Sequence, residues 1–195
     1  RMTVHDHTWL TGQPVGVAAR QLWERGYAFD YVSDRLLASA RVDDAGRVKL
    51  PGADYAVVLV PRARLMPVTT LRNLATLASR GATVLFEDRI PDDVPGLATL
   101  DQRRAELKDI VAALRFESST PRVRQAAVGR GRILVGELET LLAARACRTS
   151  LSATMPGCVS SAAVMMRGAS ISSPTKAQAP SSAGTPWPHP HGRSW

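Results

Sequence analysis

The chain has 195 residues, of which 45% are hydrophobic and 22% charged, and its formal net charge is +8. This length and composition can bury one compact core, and no apolar run approaches the roughly 18 residues of a membrane-spanning helix, so a membrane protein is not predicted. Nucleic acid is not favoured as a partner either, because the arginines are scattered and few aromatic side chains are present for stacking.

The character of the sequence changes after Ala146. The first 146 residues contain all 17 acidic residues, whereas residues 147–195 contain no acid and 6 of the 13 prolines. A Pro/Ser/Ala-rich segment without periodic apolar positions cannot offset the roughly 1–2 kcal/mol of backbone entropy that each ordered residue loses. We therefore predict an extension at 1–13, a folded domain at 14–146 and a disordered tail at 147–195, in which Trp187 and Trp195 are exposed. Removing that tail should leave the stability of the folded part nearly unchanged.

The first predicted element is a helix at 14–25, with Pro14 in its first turn and a glycine to end it. Its inward face should carry Val17, Leu22 and Trp23, so that the tryptophan is at least partly buried against a sheet. A strand at 27–32 follows.

Ser33 can cap a short second helix that carries Leu36 and Leu37, and residues 41–52 form a loop or hairpin arm. The run 55–61, closed by Pro61, has the continuous apolar character of a strand buried on both faces. Pro67 opens the next helix.

A second buried strand is predicted at 82–88 and a helix at 101–115. RVRQAAV and GRILVG then form a weak and a good strand, and ELETLLAARA a last helix. Strands that alternate with helices over short connections indicate an α/β domain with a flavodoxin-like or Rossmann-like parallel sheet between layers of helices.

Glu87 and Asp88 are the best candidates for a site, because they follow a buried strand at the edge where such sheets bind ligands. Pro61 ends the neighbouring strand, so a small ligand could lie between them. The alternative is a pair of solvated carboxylates beside a loop, since position in a fold does not establish chemistry.

Other motifs are weaker. The glycines of Gly129–Arg132 precede a strand instead of linking a strand to a helix, so a turn is favoured over a phosphate loop. His5 with His7, and His189 with His191, each supply two of the about four ligands that a structural metal site needs. Cys147 and Cys158 lack metal or redox spacing. The sequence therefore assigns no catalytic, cofactor-binding or metal residue, and no cofactor.

The stretches GYAFDYVSDRLL, YAVVLVPRARLMPVTTLRNLATLASRGATVLFED and GRILVGELETLLA resemble the flavodoxin-like accessory domain of family 106 glycoside hydrolases, the α-L-rhamnosidases, over roughly residues 12–146. The resemblance implies that the catalytic carboxylates and a calcium site belong to a barrel domain earlier in the parent chain. Nothing in this sequence matches those positions, so no catalytic role is carried over.

The tail departs from the resembled family. Reading its codons one nucleotide earlier permits acidic and aromatic residues that resemble the family's continuation into a β-sandwich. A change of reading frame near 147–153 would explain this departure together with the loss of acids.

The sequence thus predicts a non-catalytic accessory fragment of an α-L-rhamnosidase-like glycoside hydrolase, inactive alone, with the parent's catalytic barrel as its partner. Arg1 before Met2 suggests a piece of a longer chain, and a polar start without a signal peptide makes the cytoplasm the default location. A stand-alone flavodoxin-like module that binds a small ligand or a protein is the alternative, and nucleic-acid binding is a third hypothesis that rests on charge alone.

Overall fold

The computed structural model of the chain describes residues 8–146 and 162–166. None of the helices in this described part is both long enough and apolar enough to cross a membrane. The helices are α1 Thr8–Thr11, α2 Pro14–Glu24, α3 Asp34–Ser39, α4 Val68–Ser79, α5 Leu100–Ala113 and α6 Leu138–Ala146. The strands are β1 Phe29–Ser33, β2 Arg41–Val42, β3 Val48–Leu50, β4 Ala53–Tyr55, β5 Val57–Val60, β6 Thr83–Glu87, β7 Glu117–Thr120, β8 Val123–Val128, β9 Gly131–Gly136 and β10 Ala162–Met166.

The main sheet has seven strands in the order β1-β10-β5-β6-β9-β8-β7, and β2, β3 and β4 form a small antiparallel sheet. Of these three strands, β2 and β3 lie within residues 41–52, the region predicted as a loop or hairpin arm, and β4 follows it. Strands β5, β6 and β9 are parallel, whereas the remaining neighbours are antiparallel. The predicted α/β class is confirmed, but the prediction of a parallel sheet throughout is wrong. A mixed sheet is present instead.

The physical reason lies in the connection between β8 and β9. Val128 pairs with Gly131, so only Gly129 and Arg130 link the two strands. A two-residue connection can join antiparallel strands only, because a parallel pair needs a crossover of a dozen residues or more. Gly129, at φ 56°, adopts a conformation that glycine favours. The interpretation of Gly129–Arg132 as a turn is therefore confirmed.

The central strands are buried on both faces. Val58 and Val60 of β5 pack into one core with Leu71 and Leu74 of α4. Alternate side chains of a strand point to opposite faces, and accordingly Leu59 belongs to a second core that also contains residues of α2 and α6. Helices thus cover both faces of the sheet, which explains the continuous apolar character of its central strands.

Helix α2 presents a different face to the sheet from the one predicted. Its buried residues are Gly16, Ala18, Ala19 and Leu22, whereas Val17 is 39% and Trp23 77% exposed. The expectation that Trp23 is buried is therefore wrong. Small residues one turn from Leu22 allow the helix to approach the sheet closely, and this turns the adjacent Trp23 toward solvent.

Strand β10 corrects the prediction for the tail. Ala162–Met166 lies between β1 and β5 and pairs with both, so disorder throughout 147–195 is wrong for these five residues. Without them, the facing edges of two strands would lack main-chain partners, which is unfavourable inside a sheet. The rest of the predicted tail, including Trp187 and Trp195, lies outside the described residues.

Candidate functional site

The candidate residues meet at the carboxyl ends of β5 and β6. Glu87 is the last residue of β6 and only 7% exposed, and Arg62 follows Pro61 after β5. The backbone N–H of Arg62 donates to Oε2 of Glu87 over 3.1 Å. Parallel neighbours end at the same edge of a sheet, which is why residues 25 positions apart in the chain meet here.

Asp88 forms a tight turn immediately after β6. Its φ is 63°, uncommon for a residue other than glycine, and the N–H of Arg89 donates to the carbonyl of Glu87 over 2.8 Å. This i to i+2 hydrogen bond closes a γ-turn with positive φ, a strained conformation. The N–H of Asp88 donates to the carbonyl of Gly136 at 2.8 Å, so pairing with β9 continues into the turn.

The turn directs the Asp88 carboxylate toward Arg62. Nε of Arg62 lies 2.5 Å from Oδ2 of Asp88. One arginine therefore binds both acids, Glu87 through its backbone and Asp88 through its guanidinium. In the structure, the two predicted site residues, Glu87 and Asp88, both contact Arg62.

The environment of the Glu87 carboxyl favours its protonated form. Burial raises its pKa above the usual range, and the neighbouring Asp88 adds to the rise, while the N–H and the charge of Arg62 partly offset it. Desolvation penalises the ionised form, as at many functional carboxyls. Glu87 could therefore exchange a proton closer to neutral pH than an exposed glutamate.

Glu87 opens onto a small cleft beside the start of α2. The cleft has a volume of about 170 Å³ and is lined by Gly12, Pro14, Val17, Arg62 and Glu87. Sites for ligands of drug size have volumes of roughly 300–1,000 Å³. The cleft suits water or a small polar group, and Glu87 is the carboxylate among its described lining residues.

The remaining sequence candidates fall outside this site. His5, His7, Cys147, Cys158, His189 and His191 are not among the described residues. Within 8–146 and 162–166, His, Cys, Asp and Glu side chains form no group of three or more that could hold a metal ion.

Sequence reasoning missed a larger groove between the loop after β6, α5 and β8. It has a volume of about 520 Å³, and the guanidinium carbon of Arg124 lies 5.4 Å from the centroid of the Phe116 ring on its wall. Arg89 and Lys108 add positive charge to its lining, while Ile90 and Val111 are apolar. These residues come from separate elements and form no motif, so no sequence signal identifies the groove.

Comparison with known proteins places this mixed α/β chain among the glycoside hydrolases. The family model described as α-L-rhamnosidase, that of glycoside hydrolase family 106, matches residues 15–158. This match covers well over half of the chain, which therefore belongs to the family 106 α-L-rhamnosidases. Comparisons with curated proteins and with solved structures gave no significant match.

The family match confirms the resemblance to family 106 stated from the sequence. It also continues beyond 147–153, the segment in which the sequence suggested a change of reading frame. The first residues of the predicted tail are therefore included in the match.

Proposed function

We propose that residues 14–146 are the non-catalytic, flavodoxin-like accessory domain of an α-L-rhamnosidase-like glycoside hydrolase, and that the chain is a fragment that does not hydrolyse rhamnosides alone. Membership of family 106 supports the enzyme class. The geometry around Arg62 supports the absence of catalysis.

Glycoside hydrolysis typically needs two carboxyl groups on either side of the scissile bond, about 5–5.5 Å apart in retaining enzymes and about 6.5–9.5 Å apart in inverting ones. Glu87 has the raised pKa expected of a general acid. Its neighbour Asp88 instead forms an ion pair with Arg62, and the cleft is too small for the usual ligand site. The contact of both Glu87 and Asp88 with Arg62 is the main observation in support of this proposal.

Asp30, the other buried acid among the described residues, stabilises the contact between the two sheets. The Tyr55 hydroxyl donates to Oδ2 of Asp30 over 2.8 Å in the protein interior. This hydrogen bond joins β1 to β4 and satisfies part of a carboxyl group that is 2% exposed. Asp30 therefore supports the packing of the small sheet against the main one.

The proposed partner is the catalytic barrel of the parent enzyme, which would supply the reacting carboxylates. The nucleotide sequence on both sides of the coding region tests the fragment hypothesis. We expect an upstream frame that encodes a barrel and a downstream frame that encodes a β-sandwich. Flanking DNA with neither frame would contradict the proposal.

A stand-alone binding module is the second candidate, favoured by the groove of about 520 Å³, a volume within the range of ligand sites. A thermal-shift screen of small anionic aromatic compounds tests it. A stabilisation that disappears in Phe116→Ala, and persists in Leu97→Ala at an exposed position that is not part of the groove lining, would favour this function. No stabilisation in the wild type would count against it.

A further inference from the structure

Strands β1 and β5 flank a single strand position in the main sheet. They do not pair with each other, and β10 lies between them, antiparallel to both. Val164 faces Tyr31 on β1 and Leu59 on β5. Two strands that share an antiparallel neighbour run in the same direction, so β1 and β5 are oriented alike.

The strand order relates this position to a familiar arrangement. Doubly wound sheets of the flavodoxin type have the order 2-1-3-4-5. The order β1-β10-β5-β6-β9 corresponds to it when β10 takes the place of the first strand. Yet β10 is the last of the described strands and is antiparallel to both neighbours. We therefore take the position to be defined by β1 and β5, with β10 bound between them.

An unfilled position would be costly. Val57, Val58 and Leu59 of β5 are fully buried, and Val32 of β1 is 2% exposed. Their main-chain groups facing the position would have no partner in the sheet, and each buried unpaired group costs about 1–3 kcal/mol. The fold therefore demands a strand at this place.

The position also restricts what can fill it. A strand with neighbours on both edges and helices over both faces needs apolar residues at successive positions and no proline. The described segment of the tail, Ala-Ala-Val-Met-Met at Ala162–Met166, meets both requirements. Residues 147–161 separate this segment in sequence from the end of α6.

We propose that the position between β1 and β5 is a strand-acceptor site. It binds an extended apolar peptide of about five residues through main-chain hydrogen bonds on both edges, the mode known as β-augmentation. Ala162–Met166 is the occupant within the chain, and the same segment supplied as a separate peptide can replace it. The proposal stands independently of the accessory-domain function.

The covalent connection of β10 to the rest of the chain determines how the site must be tested. A segment of the same chain binds intramolecularly, with an effective concentration of up to about millimolar, so a free peptide competes poorly with it. Val164→Pro in the full chain weakens the internal occupant, because proline lacks the N–H and is excluded from central strands. Ala177→Pro is the matched control, since it introduces the same residue into the tail outside β10.

Hydrogen exchange measured by mass spectrometry follows the two flanking strands. In Val164→Pro we expect amides of Phe29–Ser33 and Val57–Val60 to exchange at least about tenfold faster than in the wild type, with β8 and β9 unchanged. A synthetic peptide of residues 160–168 should restore their protection, and the same peptide with proline at position 164 should not. Ala177→Pro should match the wild type.

Two results would overturn the proposal. One is equal protection of β1 and β5 in Val164→Pro and the wild type. The other is failure of the 160–168 peptide, in large excess, to slow exchange in Val164→Pro. If Val164→Pro loses protection throughout the domain, restoration by the peptide would still support the site, and no restoration would refute it.

Discussion

Nε of Arg62 lies 2.5 Å from Oδ2 of Asp88, and this ion pair joins the loop after β5 to the turn after β6. Both side chains are partly exposed, so the pair itself contributes at most about 1 kcal/mol. The backbone of Asp88 is more unusual than the ion pair. Asp88 has a positive φ, a conformation that few residues other than glycine tolerate.

Substitutions at Asp88 should separate the backbone cost from the ion pair. We expect Asp88→Ala to be less stable than Asp88→Gly by about 1 kcal/mol, because an L side chain is disfavoured at φ 63° and glycine is not. Chemical denaturation of both variants measures the difference. Asp88→Asn is the control for charge and should lie within about 1 kcal/mol of the wild type. Equal stability of the alanine and glycine variants would show that the turn is unstrained.

The pKa of Glu87 predicts a specific pH dependence. Because the folded-state pKa is raised by burial, folding takes up a proton, and the resulting stabilisation is fully present below the unfolded pKa of about 4.3. It is lost as pH rises through the folded pKa. Glu87→Gln cannot titrate, so its stability relative to the wild type should increase between about pH 4 and neutral pH. Unfolding free energies of both proteins across this range measure the effect, and a pH-independent difference would contradict the assignment.

Asp93 should show the opposite dependence. Hydrogen bonds from Arg104 Nε at 2.7 Å and from the Val94 N–H at 2.8 Å hold the pKa of its carboxyl well below the usual range. The stabilisation is therefore present above the unfolded pKa of about 3.9 and is lost as pH falls through the folded pKa. Asp93→Asn should lower the Tm at neutral pH, by an amount that shrinks below about pH 4.

The neighbouring Asp92 provides a matched control for this measurement. It is exposed, so Asp92→Asn should leave the Tm nearly unchanged at every pH. An Asp93→Asn variant with wild-type Tm at neutral pH would show that the Arg104 pairing contributes little.

Close packing of the β8–β9 hairpin against α4 leaves no room for a side chain at Gly131. A Cβ at this position would lie 2.3 Å from the carbonyl oxygen of Ala82 and 2.4 Å from that of Ala78. Backbone atoms cannot move aside cheaply, so Gly131→Ala should cost about 3 kcal/mol. Gly52→Ala is the control, because its site is open and only its φ of 86° is unfavourable, at about 1 kcal/mol. Equal losses on chemical denaturation would contradict this packing.

The sequence predicted the elements whose patterns are local. The buried strands at 55–61 and 82–88 were found because strands covered on both faces have continuous apolar runs. Ser33 was recognised as an N-cap, and its Oγ accepts from the N–H of Leu36 at 3.3 Å. These features depend on neighbouring residues, and so they can be derived without knowing the fold.

Features set by distant contacts could not be derived in this way. A strand pattern does not reveal strand direction, so β8 was predicted as a strand but its antiparallel direction was missed. The exposure of Trp23 depends on which turn of α2 approaches the sheet, and the place of Ala162–Met166 depends on a position created by β1 and β5. Glu87 was located correctly because strand order brings it to the sheet edge, but its engagement with Arg62 is a tertiary contact.

Hydrolysis of an aryl α-L-rhamnoside by the purified full chain tests directly whether this chain is catalytic. We expect aryl release no faster than in buffer, for the wild type and for Glu87→Gln alike, because Asp88 is ion-paired with Arg62 and the cleft beside Glu87 is smaller than a typical ligand site. Release clearly above buffer that disappears in Glu87→Gln would show that the chain is catalytic and identify this carboxyl as a catalytic group.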